Sequence, residues 1–243
     1  MCLVVVAHDA TPRYPFVLAA NRDELHTRPS RPAGWWPERP GLLGGRDLLA
    51  GGTWLGVDRQ ARVAAVTNVR DGTPRAAPQS RGVLVTGYLC GSEPAGVFAT
   101  RITAPDAGFA AFNLLLFDGA ELRAASNRAA SRQLPPGIHA FSNAALGEEW
   151  PKTRSAKAGL AAGMDENEPV EALFALLAQQ ADDGPAEEHY RRSHFIRGAV
   201  YGTRCSTVVV IDRAGTLTFA ERSFDAGGAV IGEVRERFAV AQP

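Results

Sequence analysis

The chain opens with Met1-Cys2-Leu3-Val4-Val5-Val6-Ala7, a cysteine followed by an unbroken apolar run. The run is too short to span a membrane and has no basic leader, so we expect neither an anchor nor a secretory signal. Continuous apolar residues with β-branched side chains in the middle predict a strand that is covered on both faces. Cys2 is therefore expected at the start of a buried strand.

Removal of Met1 would give Cys2 both a thiol and a free α-amine. The ordinary pKa values, about 8.5 for a thiol and about 7.7–8.0 for an α-amine, make the amine a suitable base for the thiol near neutral pH. This pairing is the chemistry of an N-terminal nucleophile. The alternative is structural, because free cysteines are among the most buried residues and often only pack.

Composition narrows the class of protein. The 243 residues include 26 Lys plus Arg and 26 Asp plus Glu, so no global basic field attracts nucleic acid. The 45% hydrophobic content supports a sizeable core, and we expect a single domain over residues 1–243. Three distant cysteines, Cys2, Cys90 and Cys205, argue against a disulfide scaffold and favour a cytoplasmic location. The five histidines show no metal-ligand spacing, so no metal site is predicted.

Polar groups follow several apolar segments. A second apolar strand, Phe16–Ala20, runs into the first of these groups. The groups are Asn21-Arg22-Asp23-Glu24, Thr67-Asn68, Ser142-Asn143 and Tyr201-Gly202-Thr203-Arg204. Each one alone can simply cap a turn. Lining one cleft, they would supply a carboxylate for the amine, a cation that favours thiolate, and amide donors for an oxyanion.

The order of the remaining elements predicts a layered α+β fold. Residues 27–40, rich in proline and arginine, predict an ordered surface loop in which Trp35 and Trp36 would roof an apolar pocket. The other predicted strands are 53–57, 62–68, 111–116, 121–125, 137–141, 205–211, 217–221 and 230–240, and the predicted helices include 80–90 and 94–103. Two more helices follow residue 143, and 182–188 is predicted as a flexible connection. Grouped helices and mostly antiparallel hairpins favour two stacked sheets between helical layers.

Several motifs resemble one family. Leu18-Ala19-Ala20-Asn21-Arg22-Asp23-Glu24, with Arg28-Pro29 shortly after, resembles the signature of the NRDE family, also called the transport and Golgi organisation protein 2 family. The further matching segments are Met1-Cys2, 51–56, 64–68, 81–82, 112–114, 142–144, 150–152, 201–204 and 219–222. They fall in family order over essentially the whole chain.

That family is distantly similar to the choloylglycine hydrolases and penicillin V acylases. The resemblance implies a four-layer αββα N-terminal-nucleophile hydrolase-like sandwich with Cys2 as nucleophile. The implied catalytic residues are Cys2, Asp23, Asn68, Asn143 and Arg204. The implied substrate-binding residues are Asn21, Arg22, Glu24, Trp54, Thr67, Tyr201, Trp35 and Trp36. In those hydrolases the first arginine precedes the asparagine, whereas Arg22 follows Asn21 here, which moves the guanidinium along the strand.

Three functions remain open at this point. The first is a cysteine amidohydrolase or acyltransferase that acts on C–N bonds of a small non-peptide amide. The second, which rests on family members associated with Golgi organisation, lipid metabolism and haem movement, is a haem or acyl-lipid/acyl-CoA carrier without turnover. The third is a scaffold with a relict site. No cofactor is expected, haem enters only as a ligand, and neither nucleic acid nor a membrane span is predicted.

Overall fold

The computed structural model describes residues 3–72, 77–104, 107–181 and 188–241. In chain order the strands are β1 (Leu3–His8), β2 (Phe16–Leu25), β3 (Ser30–Trp36), β4 (Arg39–Asp47), β5 (Leu55–Asp58), β6 (Val63–Asn68), β7 (Phe112–Phe117), β8 (Leu122–Ser126), β9 (Arg132–Leu134), β10 (Gly137–Phe141), β11 (Tyr201–Ile211), β12 (Thr216–Phe224) and β13 (Val230–Ala239). The helices are α1 (Gly82–Cys90), α2 (Ala95–Ile102), α3 (Pro151–Met164), α4 (Pro169–Leu177) and α5 (His189–Arg192). In the described chain, no helix is long and apolar enough to cross a membrane.

The chain divides into two compact units, each built from segments that are distant in sequence. The first comprises Met1–Thr27, Pro136–Ser142 and Glu149–Phe238, and the second comprises Arg28–Pro135, Asn143–Glu148 and Ala239–Pro243. Each unit contains one antiparallel sheet with helices on it, so the predicted α+β class is confirmed. The prediction of a single domain stays a prediction beside this division.

The first unit contains a six-stranded sheet in the order β10-β1-β2-β11-β12-β13. All six positions of β1 are buried, as its continuous apolar sequence predicts. Alternate side chains of β1, among them Leu3 and Val5, pack with Leu160 of α3 and Leu173 of α4. Helices α3 and α4 therefore cover one face of this sheet, and the odd-numbered residues of β1 define that face.

His194 ties the two covering helices together. Its side chain is buried, with Nδ1 donating to the carbonyl of Leu176 at 2.8 Å and Nε2 lying 2.8 Å from the hydroxyl of Ser155. Burial lowers the pKa of His194, because a buried imidazolium loses its hydration. The imidazole is thus held neutral between α3 and α4.

The second unit contains a seven-stranded sheet in the order β3-β4-β5-β6-β7-β8-β9. Helices α1 and α2 pack on one face, where Leu84 and Phe98 meet Ala64, Val66 and Phe112. The two helices predicted over 80–90 and 94–103 and the β7–β8 hairpin are confirmed.

Arg62 joins α1 to the sheet. Its guanidinium donates to three carbonyls at the C-terminal end of the helix, those of Tyr88, Leu89 and Gly91. It also pairs with the buried carboxylate of Asp58 at 2.6 Å. A cation suits the carbonyl end of a helix, so this side chain stabilises both the helix terminus and the buried charge.

The prediction of a surface loop over residues 27–40 is wrong. This region contains β3 and the beginning of β4, and the two strands pair with each other. Strand β3 is an edge strand of its sheet, and an edge tolerates proline because one side of the strand needs no donors.

Two further corrections follow from strand pairing. Strands β2 and β11 are longer than predicted and include the polar groups at 21–24 and 201–204, and β9 was not predicted. Most of the predicted flexible connection, 182–187, lies outside the described residues.

Replacing Arg62 with methionine is expected to lower the free energy of unfolding by about 3 kcal/mol, since the buried Asp58 carboxylate loses its cationic partner and three carbonyls at the helix end lose a charged donor. Arg101→Met is the matched control, because Arg101 pairs with Glu93 on the surface. This control is expected to change stability by less than about 1 kcal/mol. Urea unfolding of both variants measures the difference, and equal losses would contradict the role of Arg62.

His194 predicts acid sensitivity. Burial lowers the pKa of His194 in the folded chain, whereas the pKa of this residue in the unfolded chain is about 6.5. As the pH falls below about 6.5, the unfolded chain therefore binds a proton that the folded chain does not. Its contribution is therefore fully present above that pH and is lost on acidification. His194→Gln should flatten the dependence of unfolding free energy on pH between 7.5 and 5.5. Ser155→Ala, which keeps the imidazole, should retain it. An unchanged slope in His194→Gln would contradict the assignment.

Candidate functional site

The polar residues of β2 lie at one end of the first unit's sheet. Leu3, the first described residue of β1, pairs with Asn21, so Arg22 and Asp23 extend beyond that pairing. On the other side, β11 places Cys205 opposite Arg22 and Thr203 opposite Asp23. The register shifts between Thr203 and Cys205, a β-bulge that leaves Arg204 as the extra residue.

These residues form what we call the sheet-end cluster: Arg22, Asp23, Thr203, Arg204 and Cys205. Asp23 is buried, and its Oδ1 accepts a hydrogen bond from the hydroxyl of Thr203 at 2.6 Å. Its Oδ2 is also buried and has no hydrogen-bond partner among the described residues. An unsatisfied buried carboxylate oxygen is costly unless something binds it, and the partner that best compensates for it is a cation.

Two arginines belong to the same end of the sheet. Arg22 is buried, and Arg204 donates through Nη1 to the carbonyls of Leu25 at 3.0 Å and His26 at 3.1 Å. Burial lowers the pKa of Arg204, and repulsion from the Arg22 guanidinium lowers it further. The Glu24 carboxylate acts on Arg204 in the opposite direction, so charges of both signs meet at this end of the sheet.

Cys205 is the described thiol of the cluster. Burial raises its pKa well above the ordinary value, and the carboxylate of Glu221 on the next strand raises it further. The side chain is therefore a protonated thiol. Cys2, the predicted nucleophile, lies outside the described residues.

Glu24 and Tyr201 flank the cluster. The Oε1 atom of Glu24 accepts from the backbone N–H of Leu25 at 2.9 Å, and the hydroxyl of Tyr201 donates to the carbonyl of Asp23 at 3.3 Å. Both side chains are partly exposed, and their predicted contact with substrate stays a prediction.

Asn21 is a structural residue, which corrects its predicted place among ligand contacts. Its side chain is fully buried on the face that α3 and α4 cover. The amide donates to the carbonyls of Leu177 and His194, both at 2.8 Å, and Oδ1 accepts from Ser206 at 2.5 Å. All of its polar atoms are thus engaged in holding the end of α4 to the sheet.

The second unit brings together the two predicted asparagines. Asn143 donates through Nδ2 to the carbonyl of Asn68 at 2.9 Å, and its own carbonyl accepts from the N–H of Arg70 at 2.9 Å. The side-chain amide of Asn68 is partly exposed and makes no hydrogen bond to any described residue. Asn68 therefore has free donors at the end of β6.

Sequence reasoning missed Asn113. It is buried opposite Thr67, donates to the carbonyl of Ala144 at 2.8 Å and to Thr67 Oγ1 at 3.4 Å, and so fixes the segment that carries Asn143. Its Oδ1 is buried without a partner among the described residues. The available signal was that Asn113 is the one polar residue in the otherwise apolar sequence 109–117.

The tryptophans of the second unit differ in role. Trp36 is buried, donates to the carbonyl of Gly44 at 2.9 Å, and belongs to the core beneath α1 and α2. This corrects the prediction that both loop indoles roof a pocket. Trp35 is partly exposed and lies 4.0 Å from the Arg59 guanidinium. The ring of Trp54 rests on Gly45, where an added Cβ would come within 2.1 Å of it.

No group of three or more His, Cys, Asp or Glu side chains within the described ranges is arranged to hold a metal ion. The described polar groups at the predicted site positions include a carboxylate, two guanidinium groups and neutral amides. The prediction that no cofactor is needed stays a prediction.

Comparisons with known proteins identify the family and the fold of the chain. A family model described as Transport and Golgi organisation 2 matches residues 1–226. The transport and Golgi organization protein 2 homologs of Bos taurus and Homo sapiens are 31% and 30% identical, each over 92% of this chain and 93% of the relative. A solved variant of conjugated bile acid hydrolase from Clostridium perfringens gives a TM-score of 0.52 at 8% identity, covering 100% of this chain and 98% of that one. The fold is that of the N-terminal-nucleophile hydrolases, as the resemblance implied.

The two kinds of asparagine can be separated by stability. Asn21→Ala should lower the free energy of unfolding by at least about 2 kcal/mol, because two carbonyls and a buried hydroxyl lose their partner. Asn68→Ala should change it by less than about 0.5 kcal/mol, since no described hydrogen bond is lost. Chemical denaturation of both variants tests this, and equal costs would contradict the distinction.

Proposed function

Because the chain belongs to the transport and Golgi organisation 2 family, we propose that it is a cysteine N-terminal-nucleophile amidohydrolase or acyltransferase with Cys2 as nucleophile. Its substrate class is a small non-peptide amide. The observation that carries the proposal is Asp23, a buried carboxylate with one oxygen held and the other without a partner among the described residues. Such an oxygen suits an ammonium group, and a processed N-terminus supplies one.

The proposed reaction begins with removal of Met1, which frees the α-amine of Cys2. The amine takes the thiol proton, the sulfur attacks the carbonyl carbon of the amide, and an S–C bond forms. The C–N bond then breaks as the ammonium returns its proton to the leaving nitrogen. Water, or an acceptor amine in a transfer reaction, attacks the thioester and releases the thiol.

In this scheme Asp23 stabilises the ammonium that forms during attack. Arg22 and Arg204 favour the thiolate through their positive charge, and the lowered pKa of Arg204 is consistent with two cations sharing a small space. Arg22 also contacts substrate, as do the flanking Glu24 and Tyr201. These roles rest on the sheet-end cluster of the first unit together with the family resemblance.

Asn68 is proposed as the oxyanion donor and Asn143 as the residue that orients substrate. The side-chain amide of Asn68 supports the first role, because its N–H groups bond to no described residue and can donate to an oxyanion. The bond from Asn143 to the Asn68 carbonyl fixes the end of β6, and the role of Asn143 toward substrate rests on the family resemblance. Thr67 and Trp54 are proposed substrate contacts, as is Trp35. Haem or acyl-lipid carriage remains a prediction from the resemblance.

Intact-mass analysis and acylation by p-nitrophenyl acetate test the proposal. The expected protein lacks Met1 and gives a stoichiometric burst of p-nitrophenolate, with the acyl group on Cys2. Cys2→Ala should abolish the burst, and Asn68→Ala should slow it by about 10²–10³-fold. Cys90→Ala is the matched control, because Cys90 is an exposed thiol whose loss should leave the burst intact.

A retained Met1 together with an unlabelled Cys2 would remove the proposal. Titration with haem in the same preparation tests the carrier alternative. A saturable Soret shift in protein that gives no burst would favour carriage over turnover.

A further inference from the structure

A second buried residue of the sheet-end cluster forms a hydrogen bond with the carboxylate of Asp23. Thr203 lies in β11 opposite Asp23, at the last pairing before the bulge. Its side chain is 1% exposed, and nothing in the sequence pattern distinguishes it from an ordinary strand threonine. We infer that Thr203 is a positioning residue that fixes the orientation of the Asp23 carboxylate and leaves Oδ2 as the oxygen for the α-ammonium of the proposed reaction. This inference rests on the proposed function.

The hydroxyl of Thr203 has its donor and acceptor roles assigned by its neighbours. It accepts a hydrogen bond from the backbone N–H of Ile196 at 2.9 Å. An N–H can only donate, so the single hydroxyl proton is left for Asp23 Oδ1, which lies 2.6 Å away. That length is typical of a hydroxyl bonded to a charged carboxylate. The proton therefore points at one chosen oxygen.

The backbone holds this hydroxyl in place. The N–H of Thr203 donates to the carbonyl of Ile196 at 2.9 Å, so the two residues are joined in both directions. Their close approach needs Gly202, where an added Cβ would lie 2.8 Å from the Ile196 carbonyl oxygen. A β-branched side chain also has few rotamers. Rotation of the Asp23 carboxylate would have to break this arrangement.

The two carboxylate oxygens of Asp23 therefore have different roles. Oδ1 is saturated by a neutral donor, and Oδ2 is buried without a partner among the described residues. Thr203 transfers no proton in the reaction. It keeps the negative charge oriented, and a fixed counter-charge stabilises the ammonium that forms when the amine accepts the thiol proton.

Three variants test the inference. Thr203→Val replaces the hydroxyl with a methyl group of similar size, and Thr203→Ser keeps the hydroxyl. Thr207→Val is the matched control, because Thr207 is a buried threonine of the same strand that donates to a different carboxylate, Glu221, at 3.1 Å. Each protein is assayed for thermal unfolding and for the pH dependence of its burst rate with p-nitrophenyl acetate.

The expected result is a burst rate lowered about 10- to 100-fold in Thr203→Val, with Thr203→Ser within about threefold of the parent. The rising limb of the pH profile should move to lower pH in Thr203→Val, because an ammonium without a fixed counter-charge has a lower pKa. Thr207→Val should keep the parental rate and profile. Should Thr203→Val fail to fold, Thr203→Ala at reduced temperature gives the same comparison.

Three other outcomes are decisive. A parental burst with Thr203→Val equal to Thr203→Ser in rate and pH profile overturns the positioning role and leaves the proposed function standing. A parent protein that gives no burst removes the proposed function, and the inference with it. A loss of rate that matches the loss of folded protein, with no movement of the pH profile, assigns Thr203 a structural role and also overturns the inference.

Discussion

The pairing of β2 with β11 is the constraint on which the described part of the candidate site depends. Ten residue pairs hold these strands together, and the register shift between Thr203 and Cys205 sets which side chains meet at the end of the sheet. Because successive side chains of a strand alternate between faces, a slip of one residue would exchange the positions of Arg22 and Asp23. The bulge lets Thr203 meet Asp23 while Cys205 meets Arg22. The geometry of the carboxylate is thus a property of the sheet rather than of a loop.

Neighbouring polar residues of β2 show how burial separates structural groups from reactive ones. Asn21 and Asp23 are both buried, yet every polar atom of Asn21 is paired, whereas one oxygen of Asp23 has no partner in the part of the chain that the structure describes. A satisfied amide in the interior stabilises the fold, whereas a half-satisfied carboxylate costs free energy that the surrounding structure must offset. Strained or unsatisfied groups of this kind persist where the neighbouring structure holds them, which is typical of functional sites.

The sequence alone was sufficient for elements whose pattern is local. The buried β1 follows from its continuous apolar run, α4 from the spacing of its apolar residues and the β7–β8 hairpin from its turn residues, and the structure confirms all three. The β3–β4 hairpin was not predictable in this way, because its prolines indicate a loop unless one knows that β3 is a sheet edge. The difference between Asn21 and Asp23 could not be predicted from the sequence either. It depends on which face the helices cover and on where the bulge falls, and both are set by contacts between residues more than 150 positions apart.

Thiol chemistry needs a base beside the sulfur, and this requirement separates the cysteines of the chain. Cys205 lies in the sheet-end cluster, where burial and then the Glu221 carboxylate raise its pKa, so it is held as a thiol. Cys90 is exposed at the C-terminal end of α1. Neither residue carries a free α-amine, which is the base of the proposed reaction. A cysteine whose own α-amine is free carries such a base within one residue, and a buried carboxylate with an open oxygen is the complementary partner for the ammonium so formed. The Asp23 oxygen that has no partner among the described residues and the position of Cys2 in the sequence thus both suit a reaction in which an α-amine is the base.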